Sequence, residues 1–220
     1  MSSFQTRFNS IVVFADLDDN KNVLAADVIK KLYQLRKKLG EINVGVSGKA
    51  NSTWEATCSR KQSACQEGHI LEIWAVNQIF NATSETAVNA LTDQVSGCIT
   101  FLSRIIFTCK SNHAQDIIDV INNPSTVSGI SSRPYNIEGQ LGNHVKDSSG
   151  KITSAKAMTL YFMGTNWKYE GAEEWEKGFI DLVIKFSKDE MEPLGIRALP
   201  MAARYVENIL VTTLTFSNNF

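Results

Sequence analysis

Asp16, Asp18 and Asn20, followed by Asp27, stand at positions one, three, five and twelve of a calcium-binding EF-hand loop. Such a loop wraps a hard cation in oxygen ligands, so a metal site is the first chemistry to weigh. Two residues argue against it. Position six needs glycine because the backbone turns sharply there, and this chain has Lys21, which also brings a positive charge. Position twelve needs the reach of a bidentate Glu, and Asp27 is one methylene shorter. An EF-hand loop also follows a helix, whereas "SIVVFA" at residues 10–15 is a continuous apolar, β-branched run that reads as a buried strand. The stretch is a polar turn from strand into helix, where Asp and Asn side chains bond nearby backbone. No metal is expected.

The other reactive residues do not assemble into a catalytic motif. His69, His113 and His144 are not spaced with one another, or with a Cys, as a metal pair would be. His69 follows Cys65 closely enough to suggest a Cys–His nucleophile, but catalytic pairs need proximity in space; a partly exposed histidine beside a disulfide is the plainer reading. There is no GxSxG, Walker A or GxGxxG pattern. Glu173, Glu174 and Glu176 sit side by side on one element, which suits a solvated helix start better than a glycosidase pair. Trp54, Trp74, Trp167 and Trp175 could frame a ligand but fall at positions typical of core. No enzymatic activity and no cofactor are expected.

The elements that hold these residues follow from periodicity. Residues 10–15 form a first strand. From Asp27, the stripe Val28, Leu32, Leu35 and Leu39 predicts a helix, with Gly40 at its C-cap. Residues 43–68 read as a polar loop holding Cys58 and Cys65. "HILEIWAVNQIF" reads as a short apolar helix, and Ser84 can cap another bearing Val88, Leu91 and Val95. Residues 98–109 fit strand or helix. "AQDIIDVIN" suggests a helix stopped by Pro124, and residues 123–150 form the longest irregular stretch. Met158, Leu160 and Phe162 alternate with Thr159 and Tyr161 in a strand. In "AEEWEKGFIDLVIKFSKD", Trp175, Phe179, Leu182, Val183 and Phe186 make one helical stripe, with acids at its start, where the helix dipole favours them. Residues 194–216 supply one or two more strands. This order predicts an α+β domain of the ferredoxin-like plan, two split βαβ halves with a helical insertion in the middle. The single domain comprises a first half at 10–42, an insertion with loops at 43–150 and a second half at 151–216.

The whole-chain properties narrow the function classes. The 220 residues are 43% hydrophobic, enough for a sizeable core. A net charge of −1 gives no electrostatic case for nucleic acid or an anionic membrane surface. No run of eighteen apolar residues is present, and "MSSFQTRFNS" lacks the apolar core of a signal peptide. Cys58, Cys65, Cys98 and Cys109 include no CxxC pair, and their even count permits two disulfides as readily as four buried thiols. Asn51-Ser52-Thr53 and Asn81-Ala82-Thr83 are sequons that permit N-glycans at Asn51 and Asn81 in a lumenal protein.

Four blocks together resemble the first extracellular domain of Patched-related proteins. "DLDDNKNVLAADVIKKLYQL" looks like that family's acidic turn and first helix, and "WEATCSRKQSACQEGHILEIW" its next block, with an aromatic four residues before a Cys. "QLGNHVKDSSGKITSAKAMTLYFM" is similar to its turn leading into an alternating strand, and "EEWEKGFIDLVIKF" to the Trp-Glu-x-x-Phe helix that follows. The blocks cover most of residues 10–190; Asn143 stands where a second Gly is common, and Cys98 and Cys109 match nothing in the pattern. The resemblance implies that Cys58 pairs with Cys65, leaving Cys98 and Cys109 as a second pair. It implies an extracellular or lumenal segment of a plasma or endosomal membrane protein related to Patched, Dispatched and the Niemann–Pick C sterol transporter. The expected partners are a sterol or other lipid, a protein ligand, and a second extracellular domain of the same protein. Transmembrane helices would precede residue 10 and follow residue 216. An autonomous secreted binding domain is the alternative.

Overall fold

The structure, a computed structural model, describes residues 7–16, 20–45, 51–61, 64–74, 113–124, 126, 135–164 and 171–202. Cys98, Cys109, Asn81, the helix expected after Ser84, the 98–109 segment and strands expected beyond residue 202 lie outside them. The described residues show the mixed α+β class expected from the sequence. In chain order they form β1 (Arg7–Ala15), α1 (Ala26–Gly40), β2 (Asn43–Val44), β3 (Ser52–Thr53), α2 (Trp54–Thr57), β4 (Arg60–Lys61), β5 (Ala64–Cys65) and β6 (Glu67–Gly68). A 3₁₀ turn (Ile70–Trp74), α3 (His113–Ile121), β7 (Leu141–Lys146), β8 (Ile152–Gly164), α4 (Ala172–Phe186) and β9 (Ile196–Met201) follow.

One antiparallel sheet organises the domain. β8 pairs with β1 on one side and with β6 and β7 on the other, and β9 pairs with the far edge of β1. β1 and β7 therefore run parallel to each other across β8, and β8 and β9 run parallel across β1, which interleaves two strand–helix–strand units. Strand side chains alternate between faces. Ile11, Val13 and Ala15, Met158, Leu160 and Phe162, and Ile196 and Ala198 all point inward and are buried. Against them α1 sets Val28, Ile29, Leu32, Leu35 and Leu39, the expected stripe, and α4 sets Trp175, Phe179, Val183 and Phe186.

The acidic turn is organised by Asn22, whose Oδ1 accepts from Leu24 N and from Ala155 N, both at 3.0 Å, tying the start of α1 to β8. Asp16 pairs with Arg197, and Asp27 Oδ1 accepts from Val28 N at the helix start. Gly40 is the last helical residue and not a left-handed cap; the chain leaves the helix through Glu41 in the right-handed region. Its lack of a side chain serves Arg36 instead, since a Cβ at Gly40 would stand 3.2 Å from a terminal guanidinium nitrogen.

Two stretches differ from expectation. Residues 43–74 hold short paired strands, a four-residue helix and a 3₁₀ turn where a loop and then a helix were predicted; pairs of two residues are too short to leave a periodic signal. Within the supposedly irregular 123–150, Leu141–Lys146 is a strand of the sheet, and the Gly, Asn and Ser residues mark its bend and hairpin. Asn143 lies at φ 47°, and Asp147 Oδ1 accepts from Ser149 N and Lys151 N around Gly150 at φ 81°.

A disulfide joins Cys58 to Cys65, with Cα atoms 5.4 Å apart, and closes the β4–β5 hairpin. The hairpin is stitched to β8 through Ser59 N to Met163 O and Met163 N to Gln66 O. Replacing both cysteines by alanine is expected to cost about 2 kcal/mol, the value for a short closed loop. The check is the shift in guanidinium midpoint, which the unsubstituted chain should reproduce under reducing conditions; no shift in either would count against it.

Candidate functional site

Two of the residues singled out in the sequence, Trp54 and His69, meet on a buried carboxylate that was not, Glu67. Glu67 accepts from Arg36 through two guanidinium nitrogens, from Trp54 Nε1 at 2.7 Å, and from His69 Nε2 at 2.8 Å. His69 is fully buried, not partly exposed, because β6 carries it under the sheet edge against Phe162, ring centroids 5.8 Å apart. Cys65 is spent in the disulfide and His69 is held by Glu67, so the two do not form a nucleophile pair. Among the described residues His69 Nδ1 has no hydrogen-bond partner. The fork of Arg36 on one carboxylate is the geometry that holds a buried ion pair together.

The acidic helix start also divides. Glu173 and Glu174 occupy the first turn of α4, but Glu176 faces inward, 1% exposed, and takes both Arg7 nitrogens at 2.7 Å. One residue step past the first turn rotates it onto the core face, which counting acids along the chain does not reveal. His144 lies 3.3 Å from Glu138, which also holds Lys146 at 2.7 Å; this is a partly exposed cluster on β7. His113 opens α3. Trp54 and Trp175 stack in the core, centroids 4.9 Å apart, while Trp74 ends the 3₁₀ turn and Trp167 is outside the described residues.

The outward face of the sheet is the feature that no core requirement explains. On β1 it presents Phe8, Ser10, Val12 and Phe14; on β8, Ala157, Thr159, Tyr161 and Met163; on β9, Arg197, Leu199 and Met201. Ser10 is paired with both Tyr161 and Met201, and Val12 with Leu199, so these side chains adjoin one another. Phe8 is 61% exposed, Leu199 48%, Met201 42% and Tyr161 36%. A sheet face in water carries polar residues at such positions. Among the described residues just named the single charge is Arg197, whose guanidinium lies 4.9 Å over the Phe14 ring and pairs with Asp16. A contiguous apolar patch of this kind marks an interaction surface.

The sequence carried half of this signal. Within "SIVVFA", residues 11–15 are apolar at every position instead of alternate ones, the pattern of a strand covered on both faces. It gave no hint that α1 and α4 would cover only one face, nor that Leu199 and Met201 would extend the patch.

The model of the family described as NPC1, middle luminal domain, matches residues 5–194, and so spans both long helices and every strand of the sheet before β9. The chain belongs to that family. It is a lumenal domain of an NPC1- and Patched-related membrane protein, and the acidic turn, the disulfide block and the Trp-Glu helix are parts of that domain's fold. A search of curated proteins finds no match to the chain. Among the described residues of this middle luminal domain, no helix is long and apolar enough to cross a membrane.

Proposed function

We propose that this domain serves an NPC1-like sterol- or lipid-transporting membrane protein as one wall of its lumenal lipid path, with the outer sheet face turned toward lipid and toward a second lumenal domain of the same protein. The observation that carries this reading is the largely apolar outer face bearing Phe8, Val12, Phe14, Tyr161, Leu199 and Met201, on a domain whose family is lumenal. A rigid sheet with its apolar side uncovered suits a flat, weakly polar molecule, because binding then needs little reordering. The chain itself neither catalyses nor transports. Its cysteine–histidine candidate is tied up in a disulfide and a buried hydrogen bond, and ion-coupled transport needs titrating groups inside a membrane.

Binding of a fluorescent sterol to the 220-residue chain tests the reading. Phe8→Asp and Leu199→Asp place charge on the patch at exposed positions and should leave the unfolding midpoint within about 0.5 kcal/mol of the parent. Saturable sterol binding lost in both variants is the expected result. Sterol bound equally well by the variants would move the lipid elsewhere, and no binding by any form would leave an autonomous or partner-binding role.

The lumenal placement has its own prediction. Asn51 is exposed at the foot of β3, while Ser52 is buried with its hydroxyl on Gly171 O and Thr53 caps α2 by accepting from Ala56 N at 3.3 Å. Chain made in the eukaryotic secretory pathway should carry a glycan there, and glycosidase should remove mass that Asn51→Gln never acquires. No mass change on the parent chain would count against a lumenal setting.

A further inference from the structure

The Glu67 hub does more than fill the core. Its partners come from three elements: Arg36 from α1, Trp54 from α2, and His69 from the chain just past β6. β6 itself is hydrogen-bonded to β8, with Glu67 opposite Phe162 and Gly68 opposite Tyr161, a residue of the outer face. The other charged or titratable groups that face this region among the described residues are Glu72, whose Oε1 accepts from His69 N at 3.1 Å, and Tyr135, which lies near Glu72. α2 and β8 face the hub with Trp54 and Phe162, which do not titrate.

We propose that this hub is an acid lock: it keeps α1, α2 and β6 joined while the surroundings acidify, so that the β6 edge beside Tyr161 keeps its shape across that range. An ionised carboxylate only accepts hydrogen bonds, and all of the Glu67 partners are donors. His69 reaches it through Nε2, which carries a proton both in the neutral form this contact requires and in the imidazolium. Arg36 and Trp54 do not change charge in acid at all.

Electrostatics agrees in sign. Burial works to raise the Glu67 carboxyl, but the His69 hydrogen bond, the Arg36 charge and the remaining donor contacts outweigh it and hold the group at about 2. A carboxylate depressed in the folded state contributes stability that is fully present above its ordinary value of 4.5 and is lost as pH falls from there through about 2. Between neutrality and pH of about 5, Glu67 takes up no proton and the lock loses nothing. The acid range matters to a domain in a lumen that acidifies, so the use of the lock rests on the lumenal reading above, whereas its existence does not.

The test follows the side-chain carboxyl carbon of Glu67 by NMR in the full chain from neutral pH into strong acid, with guanidinium unfolding of the parent and of Glu67→Gln across the same range. The resonance should stay at its ionised position past the point where exposed carboxylates have titrated. Glu67→Gln should lower the folded-to-unfolded ratio on the order of 100-fold at neutrality and by the same factor at pH of about 5, with the gap closing only in stronger acid. A Glu67 resonance that titrates with the exposed carboxylates, or a gap that closes between neutrality and mild acid, would overturn the proposal. If Glu67→Gln does not fold, the parent resonance decides, together with Arg36→Lys, which keeps the charge, loses the fork and should raise the titration point. Failure of the lumenal reading would show as an unmodified Asn51 and would leave this titration unchanged.

Discussion

Trp175→Ala is expected to destabilise the domain by about 3–5 kcal/mol, the range for a large aromatic removed from a filled core. Trp175 is 1% exposed, with its ring 4.9 Å from Trp54 and 5.3 Å from Phe179, centroid to centroid. Phe162 closes the cluster from β8, at 5.8 Å from Trp54 and 5.9 Å from Phe179. Truncation would open a void where α4, α2 and β8 meet, and the surrounding rings belong to three separate elements that cannot all move in to fill it. Trp175→Phe should cost less than about 1.5 kcal/mol, as a smaller ring of similar character does in a core. The indole nitrogen adds nothing to lose, since Trp175 Nε1 has no hydrogen-bond partner among the described residues. Guanidinium midpoints of the two variants decide. An alanine variant with an unchanged midpoint would place Trp175 at the surface and reopen it as a ligand contact.

Glu176→Ala is expected to cost a similar amount, about 3–5 kcal/mol, for a different reason. The lost contact is a bidentate pair, Arg7 Nε and a terminal nitrogen on the two carboxylate oxygens, each at 2.7 Å. Glu176 is buried and the Arg7 side chain nearly so. Truncation leaves the guanidinium in a poorly solvated position without its carboxylate, and that desolvation is where most of the cost arises. The pair itself is a weak stabiliser relative to apolar residues of the same shape. Arg7→Met combined with Glu176→Leu should therefore recover most of the loss, which a double-mutant cycle of unfolding free energies would measure. If the single variants were near neutral, the pair would have to be solvated, and the first strand would be more loosely held to α4 than its geometry implies.

These two sites show what kinds of information a sequence holds. The stripe Trp175, Phe179, Val183, Phe186 was readable because helix periodicity repeats along the chain, and the structure buries each of them. The same counting set Glu176 among solvated acids, because its burial depends on Arg7, which lies 169 residues away. Gly40 was correctly placed at a helix end, yet its use is to clear space for Arg36 on the way to Glu67. β7 went unseen because Asn143 in the left-handed region and two exposed residues at its end break the alternation by which strands are recognised.

The sequence by itself determined the mixed α+β class, the first strand, both long helices, the long strand at 152–163 and, through four blocks of residues in order, the family. All of these are local: periods of two and 3.6, turn residues and short motifs are written in consecutive positions. Tertiary structure alone decided which strands became neighbours, which face of the sheet the helices covered, and that the covered face left Phe8, Tyr161, Leu199 and Met201 together on the other side. It also decided that Arg36, Trp54, Glu67 and His69 meet on one buried carboxylate. A strand's pattern says that its side chains alternate, but which face is covered and which stays open depends on where distant segments pack, and that is fixed only when the whole chain closes around its core.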